Sequence, residues 1–291
     1  MAALKAKAPP VALTIAGFDP SGGAGVIADV KTFTAFDCFA TAAVTSLTFQ
    51  NTTGVFGAVH QTAEAVRAQV LPVTEDFTVA CAKTGMLPTR EVIAEVARLF
   101  RETSLPAPVV DPVVRSTSGY DLIDDEALHA LVQELMPLAQ VLTPNIPEAE
   151  RITGLRIEDE EGMARAARAM REMGARAVLV KGGHLKNADC GLRIAGKGEP
   201  EVGNAPNALD LLDMEGRVTL FRGEWIETTS THGTGCTLSA AIAACLGHGL
   251  ILEKAIETAK RFVASAIRHA PGLGHGHGPI NHNVRIVMSN E

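Results

Sequence analysis

Thr228-Thr229-Ser230-Thr231-His232-Gly233-Thr234-Gly235-Cys236-Thr237-Leu238-Ser239-Ala240-Ala241-Ile242-Ala243-Ala244-Cys245-Leu246 follows on Trp225-Ile226-Glu227. A strand-like start (Trp225, Ile226, Thr228, Thr229) leads through a glycine-punctuated turn into an Ala-rich helix. The first turn of a helix leaves backbone N–H groups unpaired, and the helix dipole puts partial positive charge there. Gly233 and Gly235 carry no side chain to keep an anion away from those donors. Cys236 stands where the same field favours its thiolate. The stretch reads equally as a tight strand-to-helix turn around a buried thiol, so the flanking chain has to decide.

Outward from this turn, strands and helices alternate. The apolar run 11–16 ends in Gly17 and reads as a buried strand. Asp19-Pro20-Ser21-Gly22-Gly23-Ala24-Gly25 is a glycine-rich loop, followed by Val26, Ile27, Val30 and Phe33 at helical spacing. Further strands are expected at 42–49, 55–59, 78–83, 109–114, 141–143 and 177–180. Helices are expected at 62–71, 90–102, 125–135, from 144–147 onward, and at 160–173, 237–246 and 252–269. The stripe Val92, Ile93, Val96, Leu99 and Phe100 is typical of them. Residues 209–212 and 218–221 flank Asp213-Met214-Glu215-Gly216-Arg217 and read as a hairpin, and 196–207 reads as a surface loop.

Repeated strand–helix units imply a mostly parallel sheet with helices on both faces. No repeat or low-complexity linker divides them. The expectation is one domain over 11–285, between a flexible N-terminus at 1–10 and a C-terminal tail at 286–291. Ligands of such sheets bind beyond the carboxyl ends of the strands. Asp19, Gln50, Lys83, Asp111, Asn145 and Lys181 all fall at or just past those ends.

The 291 residues are 46% hydrophobic and 20% charged, enough apolar content to bury a sizeable core. A formal net charge of −7 without a Lys/Arg run argues against nucleic acid as a partner. Five cysteines without CxxC spacing form neither a disulfide framework nor a zinc pattern. With no apolar signal segment and no membrane span, a reduced cytoplasm is expected.

The glycine loops lack both G-x-G-x-x-G and G-x-x-x-x-G-K-[ST], which disfavours a Rossmann dehydrogenase and a P-loop NTPase. Asp111 stands in an otherwise hydrophobic strand, where a carboxylate needs a partner or a metal; it also reads as a strand-end residue before Pro112. Glu148 opens a helix, where it complements the dipole in any case. Together they suit Mg²⁺, which takes one or two carboxylates plus phosphate oxygens. Lys181, followed by two glycines, suits a phosphate. Phe49, Met86 and Val113 suit the wall of an apolar pocket or plain core. The Gly272-Leu273-Gly274-His275-Gly276-His277-Gly278-Pro279 run lacks a third metal ligand and reads as a loop bordering a nucleotide pocket.

Five segments together resemble one family. They are Ala16 to Gly25, Lys83-Thr84-Gly85-Met86-Leu87, Thr143-Pro144-Asn145-Ile146-Pro147-Glu148-Ala149, Lys181-Gly182-Gly183-His184 and Thr231-His232-Gly233-Thr234-Gly235-Cys236-Thr237. In this order they are similar to the hydroxymethylpyrimidine/phosphomethylpyrimidine kinases of the ribokinase superfamily, over 13–282. The resemblance implies a ribokinase-like three-layer α/β/α fold with little or no lid. It implies ATP and Mg²⁺ as cofactors, a homodimer, and two successive phosphorylations that yield a pyrimidine diphosphate for thiamine synthesis.

By the same resemblance Gly233, Thr234 and Gly235 form the anion hole, Cys236 is the base, and Lys181 assists. Gly17, Asp29, Gln50, Met86 and Val113 contact the pyrimidine, and Asn145, Lys181, Thr231 and Gly235 the nucleotide. Asp111 and Glu148 hold the metal. Position 50 is Gln where some members have Glu, and the segment 204–207 is longer than the common pattern. A base is expected to serve only the first transfer, because the second acceptor is a phosphate. A pyridoxal or pyridoxine kinase is the alternative activity, and a non-catalytic pyrimidine-binding regulator the alternative class. The length leaves no room for a fused second enzyme.

Overall fold

Eight residues, Val11–Phe18 (β1), are buried along nearly their whole length, as a strand between two helical layers must be. β1 pairs in parallel with β2 (Phe39–Asn51) on one side and β4 (Val79–Thr84) on the other. The computed structural model describes residues 8–114, 122–183 and 207–285. The parallel run continues through β5 (Val109–Val110), β6 (Val141–Leu142) and β7 (Ala177–Lys181). Antiparallel strands finish both sides: β3 (Gly54–His60) beside β2, then β8 (Asn207–Met214) and β9 (Arg217–Glu224) beyond β7. All form one sheet in the order β3-β2-β1-β4-β5-β6-β7-β8-β9.

The two-residue period of each strand splits the core in two. Leu13, Ile15, Val110, Leu142, Val178 and Val180 face one helical layer: α2 (Ala63–Asp76), α3 (Arg90–Glu102), α4 (Asp125–Ala130), α5 (Ile146–Thr153) and α6 (Glu160–Glu172). Ala12, Cys81, Val109, Val141 and Leu179 face the other: α1 (Gly25–Ala35), α7 (Thr234–Gly247) and α8 (Leu252–Arg268). Three layers result, and no separate lid sheet stands among the described residues. No helix there is long and apolar enough to cross a membrane.

Side chains cap α2 through α6: Thr62, Thr89, Asp124, Asn145 and Asp159 each accept a first-turn N–H. α1, α7 and α8 have no side-chain cap.

Several expectations change. The strand expected over 109–114 stops at Val110, because Pro112 has no N–H for a ladder and Asp111 turns tightly onto Val113. The helix expected over 125–135 is α-helical only to Ala130. It widens into a π turn at Leu131–Leu135 and ends in a 3-10 turn carrying Pro137. Trp225 to Thr229 are not a strand, since the β8–β9 pairing ends at Asn207 and Glu224. The hairpin forms with Glu215 and Gly216 both at positive φ. Most of the loop expected at 196–207, His184, Cys190, and the terminal segments 1–7 and 286–291 lie outside the described residues.

Candidate active site

The parallel strands end at a cleft of about 1830 Å³. Uncapped first turns of two helices open onto it, Ala24 and Gly25 from α1 and Gly233 to Cys236 from α7. Gly233 is the α7 N-cap at φ 78°, and a Cβ there would lie 1.8 Å from the Gly23 carbonyl oxygen. A Cβ on Gly25 would likewise come 2.2 Å from the Gly17 oxygen. The glycine-rich loop and the α7 turn are therefore packed backbone to backbone. Thr234 N donates to Thr231 O at 3.4 Å, while a helix N-terminus with no side-chain cap, with the dipole behind it, has the chemistry that suits an anion.

Lys181 stands beside that turn. A Cβ on Gly235 would sit 3.2 Å from Lys181 Nζ. Lys181 Nζ donates to Asp111 Oδ1 at 2.9 Å, and Ser239 Oγ and Thr143 Oγ1 each donate to Asp111 at 3.3 Å. Burial raises the Asp111 carboxyl, but the charges of Lys181 and Lys83 and the hydrogen bonds from Lys181 and Ser239 outweigh it and hold the group below its ordinary value. Burial opposes the Lys181 charge, yet Asp111 and Glu148 keep this ammonium above the ordinary lysine value.

Glu148 belongs to the capping box of α5: its Oε2 accepts from Asn145 N at 2.8 Å, and Asn145 Oδ1 accepts from Glu148 N at 2.9 Å. Burial pushes its carboxyl up to about 7, with Asp111 adding to the rise and Lys181 opposing it. Two buried carboxyls thus share one lysine, an arrangement a cation would relieve. Their all-oxygen donor set fits Mg²⁺, which keeps several waters and binds through one or two carboxylates plus phosphates. A self-sufficient cage of three or more His, Cys, Asp or Glu does not occur among the described residues.

Cys236 is half-buried and lines the cleft. Burial pushes its thiol up to about 11; Lys83 pulls it down, and Asp111 and Asp29 push it further up. The resting group is a thiol, which corrects the thiolate expected from the helix dipole alone. Desolvation outweighs that field.

Gly17, Gln50, Met86, Val113, Asn145 and Thr231 also line the cleft. Asp29 does not. It lies below the floor, fully buried, with Lys83 Nζ at 2.9 and 3.0 Å from its oxygens and Thr14 Oγ1 donating at 2.6 Å. Burial opposes the Lys83 charge, and the Asp29 carboxylate keeps it above the ordinary lysine value. Lys83 itself reaches the cleft, so the contact of Asp29 with the cleft runs through Lys83.

Sequence reasoning missed a second buried pair. His232 Nε2 lies 2.7 Å from Asp19 Oδ2, while Ser21 and Ala24 donate to the same carboxylate. Burial raises Asp19, but the hydrogen bonds from His232 and Ser21 win and hold it below its ordinary value. This pair joins the glycine-rich loop to the residue before the α7 turn. Both residues stood in quoted motifs, but their meeting had no sequence signal. The Gly-His-Gly-His run borders the cleft at one remove, through His277 on Thr231.

A family model described as phosphomethylpyrimidine kinase matches residues 19–281. The chain belongs to the phosphomethylpyrimidine kinase family. It is 41% identical over 271 residues to the hydroxymethylpyrimidine/phosphomethylpyrimidine kinase of Haemophilus influenzae, covering 93% of this chain and 95% of that one. The crystal structure of a Clostridium difficile phosphomethylpyrimidine kinase is similar at a TM-score of 0.73 and 36% identity, over 89% of this chain and 99% of that one. An ADP complex of Bacillus subtilis pyridoxal kinase is similar at 0.81 and 33%, over 94% and 97%. The three-layer architecture is that of the ribokinase-like kinases. As in the rest of the family, the chemistry is ATP-dependent phosphoryl transfer.

Proposed function

We propose that this chain phosphorylates 4-amino-5-hydroxymethyl-2-methylpyrimidine with ATP, and then its monophosphate, to give the diphosphate used in thiamine synthesis. The observation that carries this reading is the uncapped α7 turn, opening beside Lys181 onto a cleft that also holds Gln50, Met86 and Val113. Residues 11–285 act as one kinase domain.

The N–H groups of Gly233, Thr234, Gly235 and Cys236 take charge that develops on the transferred phosphoryl oxygens. Lys181 adds a point charge, and Asn145 and Thr231 border the nucleotide. Gly17, Gln50, Met86 and Val113 hold the ring, with the Gln50 amide on its polar edge. Asp111 and Glu148 would hold Mg²⁺, which supplies charge neutralisation at the phosphates.

In the first transfer the acceptor oxygen bonds to the γ-phosphorus as ADP leaves, and its proton passes to Cys236 Sγ. That step draws on a minor thiolate, about one part in 10⁴ at neutral pH for a thiol near 11. The second acceptor is an ionised phosphate and needs no base.

The free cysteines 38, 81, 236 and 245 support a reducing cytoplasm. Leu47, Phe49, Phe56 and Val59 are exposed on β2 and on the edge strand β3, which supports a homodimer closing over that edge. The TM-score of 0.81 to a pyridoxal kinase favours pyridoxal as the second acceptor to test.

The test is incubation with ATP and each of hydroxymethylpyrimidine, its monophosphate and pyridoxal, with products resolved by mass spectrometry. Successive mono- and diphosphate from the pyrimidine is expected. No turnover of either pyrimidine overturns the reading, and turnover of pyridoxal alone replaces it.

A further inference from the structure

β2 outruns its parallel neighbour. The last β1–β2 pair is Phe18 with Leu47, so Gln50 lies on a two-stranded ribbon whose only continuing partner is β3. Such a ribbon is marginal by itself, yet it carries a residue of the cleft wall.

What holds its tip is the glycine–histidine run after α8. Thr52, in the β2–β3 turn, accepts at Oγ1 from His275 N (3.2 Å) and Gly276 N (3.3 Å). Its carbonyl accepts from His277 N at 2.8 Å. The same few residues grip the approach to α7. Gly278 N donates to Thr229 O at 3.2 Å, and His232 N donates to Gly278 O at 3.1 Å. His277 Nδ1 lies 3.2 Å from Thr231 Oγ1. Farther on, buried His282 bonds Thr237 Oγ1 through Nε2 at 2.9 Å, which anchors the run to the first turns of α7.

Side-chain-free positions make the docking possible. A Cβ on Gly276 would lie 2.1 Å from the Thr52 carbonyl oxygen, a backbone atom that cannot swing aside.

We propose that residues 274–278 are a positioning strap for the acceptor side of the site, fixing Gln50 relative to the α7 turn by joining Thr52 to 229–232. None of residues 274–278 lines the cleft. The strap sets the distance between the group that recognises the acceptor ring and the donors that hold the phosphoryl group, a distance to which transfer is sensitive. This rests on the reading of Gln50 as an acceptor contact.

The experiment compares Gly276→Ala, Thr52→Val and Thr52→Ser. Kinetics of the first transfer are read beside hydrogen–deuterium exchange over 50–55 and 229–236. Gly276→Ala is expected to raise the KM for hydroxymethylpyrimidine about tenfold and the KM for ATP by a clearly smaller factor, about threefold. Thr52→Val, which keeps the shape and loses the acceptor oxygen, shifts the same way by a smaller factor, and Thr52→Ser restores the wild-type value. Exchange rises in both segments in Gly276→Ala and Thr52→Val.

An unchanged acceptor KM in Gly276→Ala and Thr52→Val overturns the proposal, as does an equal rise in the KM for ATP or a Thr52→Ser that behaves like Thr52→Val. If Gly276→Ala fails to fold, the two Thr52 variants decide alone. Failure of the wild-type protein to use the pyrimidine refutes the functional reading, not the strap. The strap then stands or falls on whether Thr52→Val loosens 229–236 together with 50–55; unchanged exchange at 229–236 overturns it.

Discussion

Replacing Glu148 by Gln should remove a large part of the pH dependence of stability. Burial pushes this carboxyl up to about 7, with Asp111 adding to the rise and Lys181 opposing it, from 4.5 in an unperturbed chain. The native state therefore binds this proton more tightly than the unfolded state does. The stabilisation is present in full below about 4.5 and is lost as pH rises through about 7. Each tenfold in proton affinity is about 1.4 kcal/mol, so the loss between pH 4 and 8 is about 3 kcal/mol. Asp111 and Asp19 are held below their ordinary value and act oppositely. Their stabilisation is present above about 4 and is lost only as pH falls further, so both proteins keep that acid limb. The Gln amide can still accept from Asn145 N through its oxygen, which spares the cap. Urea unfolding in EDTA across this range should show wild type losing about 3 kcal/mol against Glu148→Gln. At roughly 2 °C per kcal/mol, the Tm difference should change by about 6 °C. Parallel stability curves for the two proteins would refute the assignment of a raised pKa to this carboxyl.

Cys236→Ala should slow the first transfer about 100-fold or more and the second far less, measured with each acceptor separately. For a thiol near 11, the first transfer in wild type should gain about tenfold per pH unit from 7 to 9, and equal losses in both steps would remove Cys236 as a base. Asp29→Asn strands Lys83 in the core and should cost about 3–5 kcal/mol in chemical unfolding, whereas a selective rise in pyrimidine KM in a fully stable protein would return Asp29 to the acceptor site. Thr84→Val should stabilise by about 1 kcal/mol, since Thr84 Oγ1 is buried without a hydrogen-bond partner. A loss in Tm would show that the hydroxyl is satisfied in solution.

The regular alternation was legible because the sheet is sandwiched. Continuous apolar runs such as 11–16 and 177–180 announce strands covered on both faces, and the stripe of 90–102 reproduces α3 residue for residue. The cleft was legible for the same reason: residues just past strand ends converge whatever their separation along the chain. The burial of Asp29 against Lys83 was not legible because its partner comes 54 positions later, and only the folded register places Lys83 beside it. His232 and Asp19 stand 213 positions apart and were equally invisible as a pair. Trp225 to Thr229 carry strand-favouring side chains, but propensity is overridden where the ladder runs out of partners. The π turn after α4 has no signature in periodicity, because one inserted residue shifts the stripe too little to be seen.

The close approach of Gly233 to Gly23 and of Gly25 to Gly17 bears on how this enzyme can be re-engineered. A contact made of main chain alone has no side chain to trim or swap, so no second-site substitution can absorb a change within it. The α7 turn and the glycine-rich loop should thus tolerate almost no variation in a randomised library. Gln50, Met86 and Val113 face the same cleft through side chains that can be exchanged. Selection for new acceptors should accumulate changes there, while the two glycine turns stay fixed.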